Sequence, residues 1–197
     1  DPTTGMLKGR TPATSGTVLT QTAPLAQVFF DDPTPAIQGA AAEAFQTLAA
    51  LTSDQTNVEK AEQLLTPAAT RIGAMAGPNN GELGLALEER AAGEAVVAIA
   101  GADVDSRAAG LWRVALATYR PGKVVIRLTS EEKSAQLPDA MKAMYEVAAH
   151  RDDPIAFVCA GTACAPPASD DAILAKTIRD FNVNRRNSAA LELSTKW

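Results

Sequence analysis

The sequence predicts an α/β fold: a small three-stranded parallel sheet with flanking helices, preceded by an antiparallel helical region. Three observations carry this. Short apolar runs at 95–100, 123–128 and 155–159 each follow a turn. Two stretches of helical periodicity separate them, and strands that alternate with helices favour parallel crossover connections. Upstream, between 34 and 92, apolar residues recur every three or four positions in three blocks, as in helices packed side by side.

Residues 1–24 carry Thr, Ser, Gly and Pro with no apolar period. Leu25 to Phe30 ends in two adjacent phenylalanines. In the first helix Thr34 serves as cap and Pro35 as first helical residue. Its apolar stripe is Ile37, Ala41, Ala44, Phe45, Leu48 and Leu51. Thr56-x-x-Glu59 forms a capping box for the second helix, whose stripe runs Val58, Ala61, Leu65, Ala68 and Ile72. Pro67 lacks a backbone donor, which predicts a kink or break near Thr66. After the Gly77–Gly81 turn, a third helix over 82–92 ends at Gly93, a glycine stop.

Gly101 to Ser106 leads from the first strand into a helix with Leu111, Trp112, Ala115 and Leu116. Pro121-Gly122 turns into the second strand. Leu137-Pro-Asp139 opens a helix with Met141, Met144, Tyr145 and Ala148, and Asp152-Asp-Pro154 turns into the third strand. Ser169 caps a last helix with Ile173, Leu174, Ile178 and Phe181. The predicted divisions are an irregular arm at 1–33, a helical region at 34–93, an α/β subdomain at 94–181 and a second arm at 182–197.

Of 197 residues 46% are apolar, enough for a core; aromatics are 5%, so that core is aliphatic. The net charge of −5 lies in the body, since Lys8 and Arg10 at one end and Arg185, Arg186 and Lys196 at the other are basic. An acidic body opposes nucleic acid as a partner. No apolar run approaches the ~20 residues of a membrane helix, so no transmembrane segment is expected. The chain begins at Asp1, so a missing signal peptide does not argue for the cytosol.

The candidate sites are few. Cys159 and Cys164 are the only cysteines, and His150 alone cannot complete a zinc set with them. The pair reads equally well as a disulfide across the Ala160–Ala163 loop or as two reduced, buried thiols. A redox-active pair is disfavoured, because no helix start follows the first cysteine closely. Gly101, Asp103 and Ser106 sit at the carboxyl edge of the sheet, where α/β folds bind ligands. Asp103 and Asp105 would repel phosphate, and helix capping is the stronger reading. His150 suits a helix C-terminus. Asp31-Asp32 and Asp152-Asp153 precede proline and read as turns. Ser130 and Ser134 lack nucleophile-elbow partners. No catalytic residue, cofactor or metal site is predicted.

Phe157-Val-Cys-Ala-Gly-Thr-Ala-Cys-Ala-Pro-Pro167 resembles the terminal pattern of the YyaL or spermatogenesis-associated family, with Val-Cys, a short loop, Cys, then Pro. Leu51-Thr-Ser-Asp54 resembles the joint of that family's late helical hairpin, and Tyr119-Arg-Pro-Gly-Lys-Val-Val125 the start of one of its strands. Such proteins join a thioredoxin-like domain to a toroid of paired helices. The resemblance spans about 31–181 and implies the fold. The thioredoxin-like half, any Cys-x-x-Cys and most of the toroid are absent here, and Pro35-Ala-Ile-Gln38 stands where the family has Pro-Ser-Gly-Asn. The catalytic apparatus of the full-length proteins is therefore not implied.

The expectation for function is a non-catalytic structural or interaction subunit. It would dock through its terminal arms on protein subunits of a larger assembly, such as a membrane-associated complex, at a periplasmic or other extracytoplasmic face. The arms lack periodicity yet hold apolar anchors at Leu25, Phe29, Phe30, Leu191, Leu193 and Trp197, which water disfavours. The alternatives are a small-molecule binding module at the sheet's carboxyl edge, and a toroid-type sugar or thiol-disulfide enzyme.

Overall fold

The computed structural model describes residues 7, 31, 35–75, 80–102, 104–128, 139–149, 151, 153–160 and 163–181. Helices α1 (Ile37–Thr52), α2 (Gln55–Met75) and α3 (Gly81–Ala92) make up one compact unit except for Ala50–Ser53 at the end of α1, which group with the α/β segment from Ala92 onward in a second. Among the described residues no helix is long and apolar enough to cross a membrane.

In the helical unit one carboxylate serves two helix starts. Asp31 Oδ1 accepts the Ala36 N–H at 2.8 Å, just before α1, and Oδ2 accepts the Glu82 N–H at 3.1 Å, at the head of α3. The expected Thr34 cap lies outside the described residues. At α2 the capping oxygen is Asp54 Oδ1, 2.9 Å from the Thr56 N–H, rather than a Thr56–Glu59 box. The helix runs on through Pro67 to Met75 without the expected break. Leu64 and Leu65, buried just before the proline, hold this stretch by packing rather than by propensity.

The buried face of α1 is rotated from the expected stripe. Ile37 and Leu48 are exposed, while Gln38, Gly39, Ala42, Gln46 and Ala49 face inward. Apolar periodicity alone misses this because two glutamines find partners inside. Gln38 accepts the Leu7 N–H at 3.1 Å and donates to the Leu64 carbonyl at 3.0 Å; Gln46 donates to the Ala86 carbonyl at 3.2 Å. Such bonds make buried polar groups tolerable. The core between the helices is Ala42, Leu64, Leu65, Leu83 and Ala86.

Glu43, on the same helix, has one carboxylate oxygen buried with no partner among the described residues. Burial, then the charges of Glu82 and Glu89, push its carboxyl up to about 7. A raised acid holds its proton more tightly when folded, so the group costs stability above about pH 7. That cost disappears as the pH falls towards the ordinary carboxylate range. Glu43→Gln is therefore expected to raise the melting temperature at pH 8 and to flatten its rise between pH 8 and pH 5. A melting series across that range checks it.

The α/β unit runs β1 (Ala95–Ala100), α4 (Ser106–Ala117), β2 (Lys123–Leu128), α5 (Asp139–Ala149), β3 (Ile155–Ala160), β4 (Ala163–Cys164) and α6 (Asp171–Asp180). The strand order is β2-β1-β3-β4. β1 and β2 pair in parallel, from Ala95↔Lys123 to Ala100↔Leu128. β3 runs antiparallel to β1, with Ala100 opposite Ile155 and Val96 opposite Cys159, and β4 pairs antiparallel with β3. The sheet is thus four-stranded and mixed, not three-stranded and parallel. A helix between strands forces a parallel crossover only when the connection makes one return pass. The connection over 129–154 is much longer than its helix, so it leaves the direction of β3 free.

Side chains alternate across this sheet. Val97, Ile99, Ala156 and Val158 pack on Leu111 and Ala115 of α4 and on Leu174 and Ile178 of α6. Ala98, Ala100, Leu128, Ile155, Phe157 and Cys159 pack on the other side with Met144 of α5. Three layers result, with the strands β1 and β3 buried on both faces. At α6 the cap is Asp170, which accepts the Ala172 and Ile173 N–H groups at 2.9 and 3.0 Å, one residue beyond the expected Ser169.

Candidate functional site

The mixed sheet brings the end of β1 beside the start of β3, and this juxtaposition shapes the ligand edge. A Cβ at Gly101 would meet the Pro154 Cβ at 2.8 Å and the Ala108 Cβ at 3.1 Å, so the chain can pass there only as glycine. Gly101→Val is expected to destabilise the α/β unit by about 1–3 kcal/mol through overpacking, seen as a lower urea midpoint. Ser106 opens α4 behind its cap Asp105, whose carboxylate accepts the Arg107 N–H at 2.8 Å. Asp103 lies outside the described residues, as does His150.

Next to Ser106 a cleft of about 510 Å³ opens between the heads of α4 and α6. Arg107 crosses its rim, pairing with Asp105 at 2.9 Å and with Asp153. Its side chain, then its backbone N–H, holds the Asp105 carboxyl below the ordinary carboxylate range. Arg113 and Arg151 line the same cleft, with Ser169 and Asp171 across from them. The Asp171 carboxylate lies over Gly110, 3.6 Å from where a Cβ would stand. The cleft therefore presents both signs of charge, and its Arg107 cluster is satisfied internally. Among the described residues no three His, Cys, Asp or Glu side chains gather as a metal site.

Cys159 and Cys164 lie opposite each other across the β3–β4 pair, with their sulfurs at disulfide distance, 2.00 Å. Cys159 is buried against Met144 while Cys164 is exposed at the sheet edge. Closing so short a loop is worth about 2 kcal/mol on the chain-entropy account. Thiol counting on denatured, unreduced protein is expected to find no free thiol, and reduction to lower the melting temperature.

Two features had no clear signal in the sequence. Arg120 sits half-buried with no carboxylate partner among the described residues. Its guanidinium donates to the carbonyls of Phe181, Ile178 (3.3 Å), Ala92 (3.4 Å) and Gly93 (3.2 Å), and burial lowers its pKa. It ties the end of α6 to the stretch that leads into β1. The second feature is the outer edge of β2. Lys123 turns its ammonium onto the carbonyls of Ala115 and Thr118 at the end of α4. Arg127 stacks on the Trp112 ring, 4.7 Å from its centroid. Leu116 and Tyr119, where α4 leads towards β2, stand exposed, Tyr119 at 70%.

The expected partner anchors Leu25, Phe29, Phe30, Leu191, Leu193 and Trp197 all lie outside the described residues. No family model, no curated protein and no solved structure matches this chain.

Proposed function

We propose that the chain is a non-catalytic interaction subunit that docks through its terminal segments on protein subunits of a larger assembly. The observation that carries this reading is the pair of exposed apolar side chains Leu116 and Tyr119, where α4 leads towards β2. Exposed apolar surface is unfavourable in water and often marks a protein interface. The anchors at 25–30 and 191–197 add side chains worth roughly 1.5–3 kcal/mol each when buried. Ordering each residue of a segment costs about 1–2 kcal/mol, so a partner surface must add contacts along its length. The cysteine pair supports placement at an extracytoplasmic face, where disulfides persist, and an association with a membrane complex belongs to the same proposal. So does the likeness to the YyaL or spermatogenesis-associated family, as a source of the fold.

A chain lacking 183–197, with Leu7 and its bond to Gln38 kept, is expected to stay folded and to lose assembly. Native co-purification of the intact and trimmed chains, with mass spectrometry of what accompanies each, tests this. An unchanged set of companions would sink the reading.

A second reading has its own observation, the cleft beside Ser106. Its mixed charges suit a small zwitterionic ligand held between the heads of α4 and α6. Titration of the intact chain with free amino acids, followed by thermal shift, separates the two readings.

A further inference from the structure

We propose that the Cys159–Cys164 disulfide is a reducible latch, opened by a dithiol reductant at Cys164, that fastens the front of the segment 163–168 to β3. The inference does not depend on the reading above. After β4 the chain continues along β3 as a strap. Ala165 donates to the Val158 carbonyl at 2.9 Å, and Ala156 and Ala168 exchange two backbone bonds, at 2.7 and 2.9 Å. Pro166 and Pro167, between them, have no N–H to give. The strap therefore has two separate fastenings. The rear one is the Ala168 bridge, with Ala168 buried in the cluster that holds Leu174 and Ile178 of α6. The front one is the two-residue β4, the single bond of buried Ala165, and the cysteine pair.

The two sulfurs stand in different surroundings. Cys164 is exposed, whereas Cys159 is only 2% exposed. A thiolate from solvent thus reaches the Cys164 sulfur and not its partner, and access decides which sulfur is attacked. Attack there breaks the S–S bond, leaves a mixed disulfide on Cys164 and expels Cys159 as a thiolate, which takes up a proton. The reductant's second thiolate then attacks its own sulfur in the mixed disulfide. That step closes the reagent's ring disulfide and releases Cys164, which is protonated in turn. One dithiol is oxidised for each cystine reduced. The freed Cys159 thiol has a place to rest. Its sulfur lies 3.8 Å from the Met144 Sδ, a weak acceptor, in the cluster that holds Ala98 and Phe157. Apolar surroundings keep a thiol neutral and poorly nucleophilic, so reduced Cys159 does not re-attack readily and the open state persists. The closed state is weakly held, because the cysteines are separated by 5 positions and cross-linking so short a loop removes little chain entropy. Exposed disulfides are the labile ones.

The test uses the full chain without denaturant, before and after millimolar dithiothreitol, with the variant Cys164→Ser alongside. Thiols are counted after an acid quench, iodoacetamide labels are located by mass spectrometry, and amide exchange is followed over 163–165 and over 95–100. Dithiothreitol is expected to free both cysteines of the native chain. Iodoacetamide should then label Cys164 roughly tenfold faster than Cys159. Exchange at 163–165 should rise roughly tenfold through local opening, while 95–100 stays as protected as before. Cys164→Ser should exchange at 163–165 like the reduced chain and ignore the reductant. A bond that yields only in denaturant overturns the latch, as does reduction that leaves 163–165 fully protected. Reduction that speeds 95–100 as much as 163–165 also overturns it, since the bond would then be a staple for the whole α/β unit. Two free thiols in the unreduced chain remove the latch altogether.

Discussion

Arg120→Ala is expected to lower the stability of the α/β unit by about 1.5–3 kcal/mol, the range for hydrogen bonds to a charged group. The guanidinium bonds four backbone carbonyls, at Ala92, Gly93, Ile178 and Phe181. Those carbonyls lose their donor when it is removed, and the last turn of α6 loses the cation that complements its dipole. Arg120→Lys is expected to recover little, because a single ammonium cannot reproduce the planar fork that reaches both sets of carbonyls. Urea unfolding followed by circular dichroism checks this. The midpoint should fall with little change in slope. A variant within experimental error of the parent would show that water replaces the arginine without cost.

Gly39→Leu should do comparable damage to the helical unit, for the opposite reason. A Cβ on residue 39 would stand 2.9 Å from the Glu82 carbonyl carbon and from the Leu83 nitrogen. Backbone atoms cannot swing aside as a side chain can, so α1 and α3 must separate. Overpacking of this kind costs about 1–3 kcal/mol or more. The contrast with Gly84 makes the test specific. A Cβ there meets nothing within 4 Å, so Gly84→Ala should stabilise by about 1 kcal/mol through helix propensity. Gly39→Ala should destabilise despite the same propensity gain. Equal effects at the two sites would contradict the close approach.

The strands β1 and β2 were legible to the residue, because short β-branched runs between turn signals have few other readings. So was the end of α3, whose expected start alone fell one residue short; Gly93 after it takes φ +73°, a conformation that glycine adopts without a Cβ clash. The direction of β3 was not legible. It depends on how a long connection returns the chain, and no local pattern records that. The rotated face of α1 escaped because Gln38 and Gln46 look like surface residues until their partners, Leu64 and Ala86, are in place. Arg120 escaped for a similar reason. Its four carbonyls come from positions far apart in sequence, and a backbone acceptor has no residue type to betray it. The anchors at 25–30 and 191–197 stand out in the sequence by their apolar character in otherwise unpatterned surroundings.

Amide exchange on those terminal anchors addresses the docking claim most directly. The intact chain would be measured as a dilute monomer and again within its native assembly, with peptides covering 25–30 and 191–197. Docking predicts rapid exchange at both segments in the monomer and strong protection of both in the assembly. Fast exchange at both segments within the assembly, or equal protection in the isolated monomer, would contradict it.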